Sequence, residues 1–312
     1  MKRIFLSFLI FSLALAAFFV GKGILVPLEP DPPFEKEFVI PRGIGVRDIA
    51  LNLEQEGLIK NRFSFLFYLF LKGEIKNVKA GQYLFSSSMS IPEISRKLVA
   101  GETIKEKITI IEGWTKKDIA SYLEKKDLCS QQEFFELGKE GFLFPDTYFV
   151  EKGTSCEQFL EQISSNFETK LTPELRTEIE KQKKKIFEII IMASLIEKEV
   201  RTFEDKKIVS GILWKRRDYD MPLQIDATIT FITGKKTTKV SKQETEIDSP
   251  YNTYKYKGLP IGPICNPGLE SIKAAIYPEG SEYWYYLSTP EGETIFSKTL
   301  EEHNIAKAKY LK

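Results

Sequence analysis

The chain has 312 residues, of which 42% are hydrophobic and 29% charged, with 45 Lys and Arg against 44 Asp and Glu. At roughly 150 residues per domain this allows two domains with a real core, and it excludes disordered and collagen-like classes. The net charge of +1, which becomes −2 once Lys2, Arg3 and Lys22 are set aside, lacks the basic excess of a nucleic-acid binder, so no nucleic-acid partner is expected.

Residues 4–21 carry no charge and follow Lys2 and Arg3. Eighteen residues at about 1.5 Å each reach roughly 27 Å, near the thickness of a bilayer core. An uncleaved anchor over 1–21 is the reading that this length supports. A cleaved signal peptide ending near Ala14-Leu15-Ala16 is the alternative, and Phe18, Phe19 and Val20 extend the apolar run past it. Either way the two basic residues keep the N-terminus inside, and the rest of the chain is exported. Pro27, Pro30, Pro32 and Pro33 then make an extended spacer over 22–36.

The first folded half contains a repeat. Residues 38–59 and 108–129 match at Gly43/Gly113, Asp48/Asp118, Ile49/Ile119, Ala50/Ala120, Leu53/Leu123, Glu54/Glu124 and Leu58/Leu128. Each reads as a short strand, a glycine turn and an amphipathic helix. Looser copies begin at Tyr83 and Tyr148, with capping boxes predicted at Ser90 to Glu93 and at Thr154 to Glu157. Small strand-plus-helix modules on an exported anchor suit the gripping of a polymer. Between the copies, residues 63–71 (FSFLFYLFL) are apolar at nearly every position, which predicts a helix buried on most sides. Cys129, Cys156 and Cys265 are odd in number and form no CxxC, so three isolated thiols are expected, with a single bridge such as Cys129 to Cys156 as the alternative.

Residues 186–200 (IFEIIIMASLIEKEV) are apolar around the whole wheel, which places this helix in a core. Glu197 and Glu199 at its end are two positions apart, about 160° on the wheel. Only one of them is expected to face a given cleft. A helix C-terminus and apolar neighbours both raise a carboxyl pKa, the condition for a neutral-pH proton donor. The chain's one histidine, His303, lies in the last helix and is expected to be a cap or a surface contact. Histidine-built metal sites and triads are therefore disfavoured; no cofactor or metal is expected, and carboxylates are left to move protons.

Residues 221–232 (MPLQIDATITFI) alternate, which predicts a strand with a core face and a polar face carrying Gln224, Asp226, Thr228 and Thr230. Hydrogen-bonding groups of this kind suit sugar hydroxyls and acetamido groups. Residues 249–268 hold four prolines and three glycines and read as a rigid loop presenting Tyr251, Asn252, Thr253 and Tyr254. Asn266 is then expected to cap a helix over 269–276, followed by a strand at 284–287, a turn at 289–293 and the terminal helix.

In these blocks the sequence resembles the YceG-like family of endolytic murein transglycosylases. The carrying residues are 141–148 (GFLFPDTY), 192–199 (MASLIEKE), 221–226 (MPLQID), 251–254 (YNTY), 258–262 (GLPIG), 266–268 (NPG) and 302–304 (EHN), in the family's order. The resemblance implies an α+β chain: the transmembrane anchor, a LysM-like module over 37–103 and a catalytic domain over 104–312. It selects Glu199 as the catalytic residue, acting as general acid and base on the bond between N-acetylmuramic acid and N-acetylglucosamine, and leaving 1,6-anhydro ends. Gln224, Asp226, Tyr251, Asn252 and Thr253 are assigned to holding the sugar. The implied partners are peptidoglycan glycan strands, the inner membrane and the peptidoglycan-synthesis machinery, with the catalytic domain outside the cytoplasm. Val200, Lys215 and Ala227 depart from the family's usual Thr, Asn and Pro. Two other classes remain at this stage. A non-catalytic wall-binding scaffold would yield no product, and a hydrolase using water would need a second carboxylate, for which Glu188 and Asp226 are the hints.

Overall fold

A computed structural model describes residues 21, 24–27, 34–235 and 240–311. The apolar run at 4–20 and most of the proline spacer lie outside these residues. Among the described residues no helix is long and apolar enough to cross a membrane. The fold is mixed α+β, and the chain divides into two compact units.

The first unit comprises the chain up to Lys107 together with Phe149–Gly153. Strand β1 (Glu35–Ile40) pairs antiparallel with β2 (Gly81–Ser86), Phe38 opposite Tyr83 and Ile40 opposite Gly81. Alternation sends Phe38, Ile40, Tyr83 and Phe85 to one face, where all four are buried. Between the strands run α1 (Val46–Gln55) and α2 (Arg62–Lys72); α3 (Ile91–Ala100) follows β2. Gly43 takes φ +84, a left-handed turn that an L side chain enters only at a cost, and this turns β1 into α1. Ser90 and Glu93 close the predicted capping box on α3.

Helix α2 departs from expectation. Its N-cap Asn61 accepts from the Phe63 and Ser64 amides, and Gly73 ends it in the left-handed conformation. Only Ser64, Phe65 and Leu69 are buried, while Phe63, Phe67, Phe70 and Leu71 are 46–67% exposed. The physical reason is size. One two-stranded sheet and three short helices offer a single surface to pack on, so an eleven-residue helix buries one stripe whatever its composition.

The second unit comprises Ile108–Tyr148 and Thr154–Lys312. The chain enters it along β3 (Lys105–Thr109), which pairs with β4 (Thr147–Glu151). Helices α4 (Lys116–Glu124) and α5 (Gln131–Leu137) lie between these strands, and α6 (Cys156–Lys170) and α7 (Pro173–Lys181) follow. The centre is α8 (Ile186–Glu199). Its eight residues from Ile189 to Ile196 are at most 3% exposed, enclosed by α7, α9 (Phe203–Asp218), α10 (Asp226–Thr233) and α11 (Leu269–Ile276). Backbone comes close enough at Gly211 of α9 that a Cβ would lie 2.0 Å from the Glu279 carbonyl oxygen. A hairpin of β5 (Tyr285–Ser288) and β6 (Thr294–Ser297) and helix α12 (Leu300–Tyr310) complete the unit.

Four expectations are corrected here. Cys129 and Cys156 form a disulfide, with 5.0 Å between Cα atoms, and only Cys265 remains a buried free thiol. Twenty-seven residues separate the pair, and it is the packing of α4, α5 and α6 that brings the ends together. The cap of α6 is Ser155 with Gln158, one residue beyond the predicted box. The expected strand over 221–232 is extended only as far as Ile225 and then becomes α10. Gln224 at φ +54 breaks the strand, and the Thr228, Thr230 and Thr233 hydroxyls bond back to the Ile225, Ala227 and Ile229 carbonyls, as threonines in helices do. His303 is a buried residue rather than a surface one, its ring stacked on Tyr285 at 5.3 Å.

Candidate active site

The last turn of α8 carries two glutamates in different settings, as the 160° separation requires. Glu197 is enclosed. It pairs with the buried Lys206 (3.4 Å) and accepts from the Gly268 amide (2.9 Å) and the Ser271 hydroxyl (2.6 Å), tying α8 to α9 and to the start of α11.

Glu199 is different. Its residue keeps partial access to solvent, while its carboxyl lies deep enough that desolvation raises the pKa to about 7. The Tyr286 hydroxyl, donating to Oε2 at 3.0 Å, pulls the value down; the nearby charge of Asp226 pushes it up, and the Ala227 amide and the Arg216 charge lower it. The carboxyl therefore sits at the first amides of α10, with a large share of it protonated near neutrality. Its own backbone carbonyl accepts from the Ser288 hydroxyl at 3.0 Å, which fixes the helix end against β5.

Asp226 opens α10 and is exposed, and it accepts a hydrogen bond from the Tyr254 hydroxyl. That bond and burial together raise the Tyr254 pKa, so the phenol stays a donor. Gln224 is also exposed, on the turn that leads into Asp226. Beneath this turn Arg216 is 6% exposed and donates to the Leu223 carbonyl (2.9 Å) and the Trp284 carbonyl (2.8 Å), with its guanidinium 5.0 Å from the Tyr285 ring. His303 backs Tyr285. Burial, with the charges of Lys307 and Arg216, lowers its pKa to about 4, so it is neutral here and serves as packing.

The structure thus brings Asp226 close to Glu199 and leaves Gln224 exposed two residues before Asp226, but it does not free every loop residue expected to hold sugar. Asn252 is 1% exposed, and its amide donates to the Thr245 and Ile247 carbonyls while its oxygen accepts from the Tyr254 and Lys255 amides. Thr253, equally buried, accepts from the Ile225 amide at 2.9 Å and meets the Thr228 hydroxyl at 3.1 Å. Both build the loop and pin it to the Gln224 turn, and neither has a polar atom left for a substrate. Tyr251 is half-buried, its ring 4.9 Å from Phe231 and its hydroxyl close to Gly262. Sequence reasoning placed Tyr254 on the presented loop without assigning it to the sugar, and it missed Arg216 and Tyr286, the latter on a segment read only as a closing strand. Glu188 is removed as a partner carboxylate, because it caps the first turn of α8 at the Lys185 amide, eleven residues and about 16 Å from Glu199. A shallow depression of about 340 Å³ lined by Asp248, Pro250, Tyr256, Leu259 and Ile261 shares the loop but contains none of these groups.

Other blocks that carry the resemblance serve as scaffold. Asn266 does not cap α11, whose N-cap is Gly268. It is fully buried, accepts from the Gly141 and Leu143 amides and donates to the Trp114 carbonyl and to Glu140. Gly141, at φ +85, leaves room for Pro263, which a Cβ would strike at 2.5 Å. Glu140 has its pKa raised by burial to about 7, the same value as Glu199. Its oxygens, however, are engaged by the Lys116 amide and by Asn266, so it locks three segments together.

Comparison with known proteins agrees with this architecture. A chain from Bacillus subtilis (strain 168) named endolytic murein transglycosylase is 34% identical over 330 residues, covering 95% of this chain and 90% of that protein. A Streptococcus pneumoniae (strain D39) protein of the same name is 30% identical, covering 97% of this chain and 64% of the longer relative. A crystal structure of a YceG-like protein from Listeria monocytogenes superposes with a TM-score of 0.56 at 33% identity, covering 88% of this chain and 99% of that one. The model of the YceG-like family matches residues 38–309, both units included, and the chain is a member of that family.

Proposed function

We propose that this chain is an endolytic murein transglycosylase, cleaving the bond between N-acetylmuramic acid and N-acetylglucosamine within peptidoglycan glycan strands. The observation that carries this reading is Glu199, a partly exposed residue at the end of a core helix whose carboxyl has its pKa raised by burial to about 7, with the exposed Asp226 beside it. Protonated Glu199 donates to the glycosidic oxygen as the bond to C1 breaks. The resulting carboxylate takes the proton from the muramic C6 hydroxyl, whose oxygen bonds to C1 and closes the 1,6-anhydro ring. The acid is regenerated and no water is consumed. Asp226, exposed and oriented by Tyr254, supplies negative charge near the developing oxocarbenium; Gln224 and Tyr251 are the groups left to meet the sugar. Tyr286 engages Oε2, and the Ala227 amide also meets the carboxyl.

In the same reading residues 4–21 anchor the chain in the cytoplasmic membrane. The β-α-α-β-α unit over 37–103 is the LysM-like module, the second unit works on nascent strands outside the cytoplasm, and association with the synthesis machinery is part of this assignment. Mass spectrometry of products from purified glycan strands tests it. Fragments lighter by one water than hydrolysis products are expected from the wild type and not from Glu199→Gln. Ordinary reducing ends would instead favour a hydrolase in which Asp226 directs water, and binding without product would favour a scaffold.

A further inference from the structure

The stripe of α2 that the first unit leaves bare runs Phe63, Phe67, Phe70, Leu71, spaced i, i+4, i+7, i+8, so it is one continuous face about 100° wide. We propose that this face lies in the surface of the bilayer, with α2 as an interfacial helix that docks the first unit flat against the membrane; the proposal rests on reading residues 4–21 as a membrane span.

Three observations select lipid as the occupant. The first is tether length. Ile24 is buried among the core residues of the first unit, with Phe38, Phe65 and Leu69. It lies three residues beyond Gly21, where the apolar run ends, and three residues of chain reach at most about 10 Å. A body of this size has a radius of gyration of about 12 Å, so the unit's surface is held at the membrane whatever its orientation. The second is charge. Between residues 57 and 80 the chain carries Lys60, Arg62, Lys72, Lys76 and Lys79 against one acid, Glu74, in a protein that is otherwise close to neutral. Lys60, Lys72 and Lys76 have no carboxylate partner among the described residues and flank both ends of the stripe, complementary to anionic headgroups. The third is chemistry. Three phenyl rings and a leucine present no donor or acceptor, whereas a glycan needs hydrogen bonds.

Spin labelling of the full-length protein in vesicles tests the proposal. Cys129 and Cys156 are bonded and Cys265 is buried, so a single introduced cysteine is the accessible thiol. Nitroxides are placed at Phe70→Cys, at Ser88→Cys as an exposed site of the same unit, and at Ser12→Cys within the apolar run. Accessibility to oxygen and to a polar nickel chelate is measured in phosphatidylcholine vesicles with and without phosphatidylglycerol. The label at 70 is expected to favour oxygen several-fold more than the label at 88, and more so with phosphatidylglycerol present. If label 12 is in lipid while label 70 matches label 88, the α2 contact is wrong and the anchor stands. If label 12 is itself in water, the anchor reading fails and this proposal with it. Spin–spin coupling at 70, with shielding from both reagents in micelles and vesicles alike, would make a second copy the occupant and overturn lipid.

Discussion

Glu197 and Glu199 leave the same last turn of α8, and each meets the N-terminal amides of another helix, α11 for the first and α10 for the second. The partners that complete each setting are opposite in character. Glu197 receives a buried ammonium, a hydroxyl and an amide, so its charge is fully compensated inside the protein. Glu199 receives one phenol and one amide and has a second carboxylate beside it. Burial is common to both sites; what separates an ion that holds helices together from a proton carrier is the supply of compensating charge. Glu140 extends the lesson, because its pKa is as high as that of Glu199 while its oxygens are committed to the scaffold.

The sharpest break between the two sites should come from neutralising each in turn. Glu199→Gln is expected to lower turnover on glycan strands by roughly 10²–10⁴-fold, the range of general acid–base catalysis, with the melting temperature unchanged or raised. Glu197→Gln should do the reverse. It leaves Lys206 buried without its counter-ion, for a loss of about 3–5 kcal/mol in urea unfolding, while the folded fraction keeps its activity. Loss of turnover at unchanged stability in the second variant would exchange the roles assigned here.

Titration separates the sites further. Activity that depends on protonated Glu199 should fall as pH rises through about 7. The stability contribution has the same direction: the folded-state pKa lies above the ordinary 4.5, so native Glu199 holds its proton more tightly than the unfolded chain does. Its contribution is complete below about 4.5 and is lost as pH climbs through about 7, a trend that denaturation at several pH values would show and that Glu199→Gln should remove. Smaller still are the shifts expected from the neighbours. Tyr286→Phe removes a donor to the carboxylate and should move the alkaline limb of the rate profile upward by about one pH unit; Asp226→Asn removes a repelling charge and should move it downward. Shifts of the same sign in both variants would contradict the electrostatics described for the site.

Much of the framework was legible in residue order. The doubled strand, glycine turn and helix, the all-apolar α8 and the proline-rich loop follow from periodicity and from the conformational limits of Gly and Pro, which act locally. The 221–232 segment misled because threonines and β-branched residues alternate as a strand would; the left-handed Gln224 and the back-bonded hydroxyls that make it a helix depend on Thr253, supplied by a later segment, and on Arg216 at the end of the preceding helix. Asn252 and Thr253 looked like sugar contacts for a related reason, since a polar side chain on a loop carries no mark of whether its partners are inside or outside the protein.

By itself the sequence determined that two glutamates end a core helix facing different ways, because 100° per residue permits nothing else. Tertiary structure supplied the physical setting that raises the pKa of Glu199. The surrounding groups, Lys206 with Ser271 on one side and Tyr286 with Asp226 on the other, arrive from nine to nearly ninety residues away, and a pKa is set by what surrounds a charge in space.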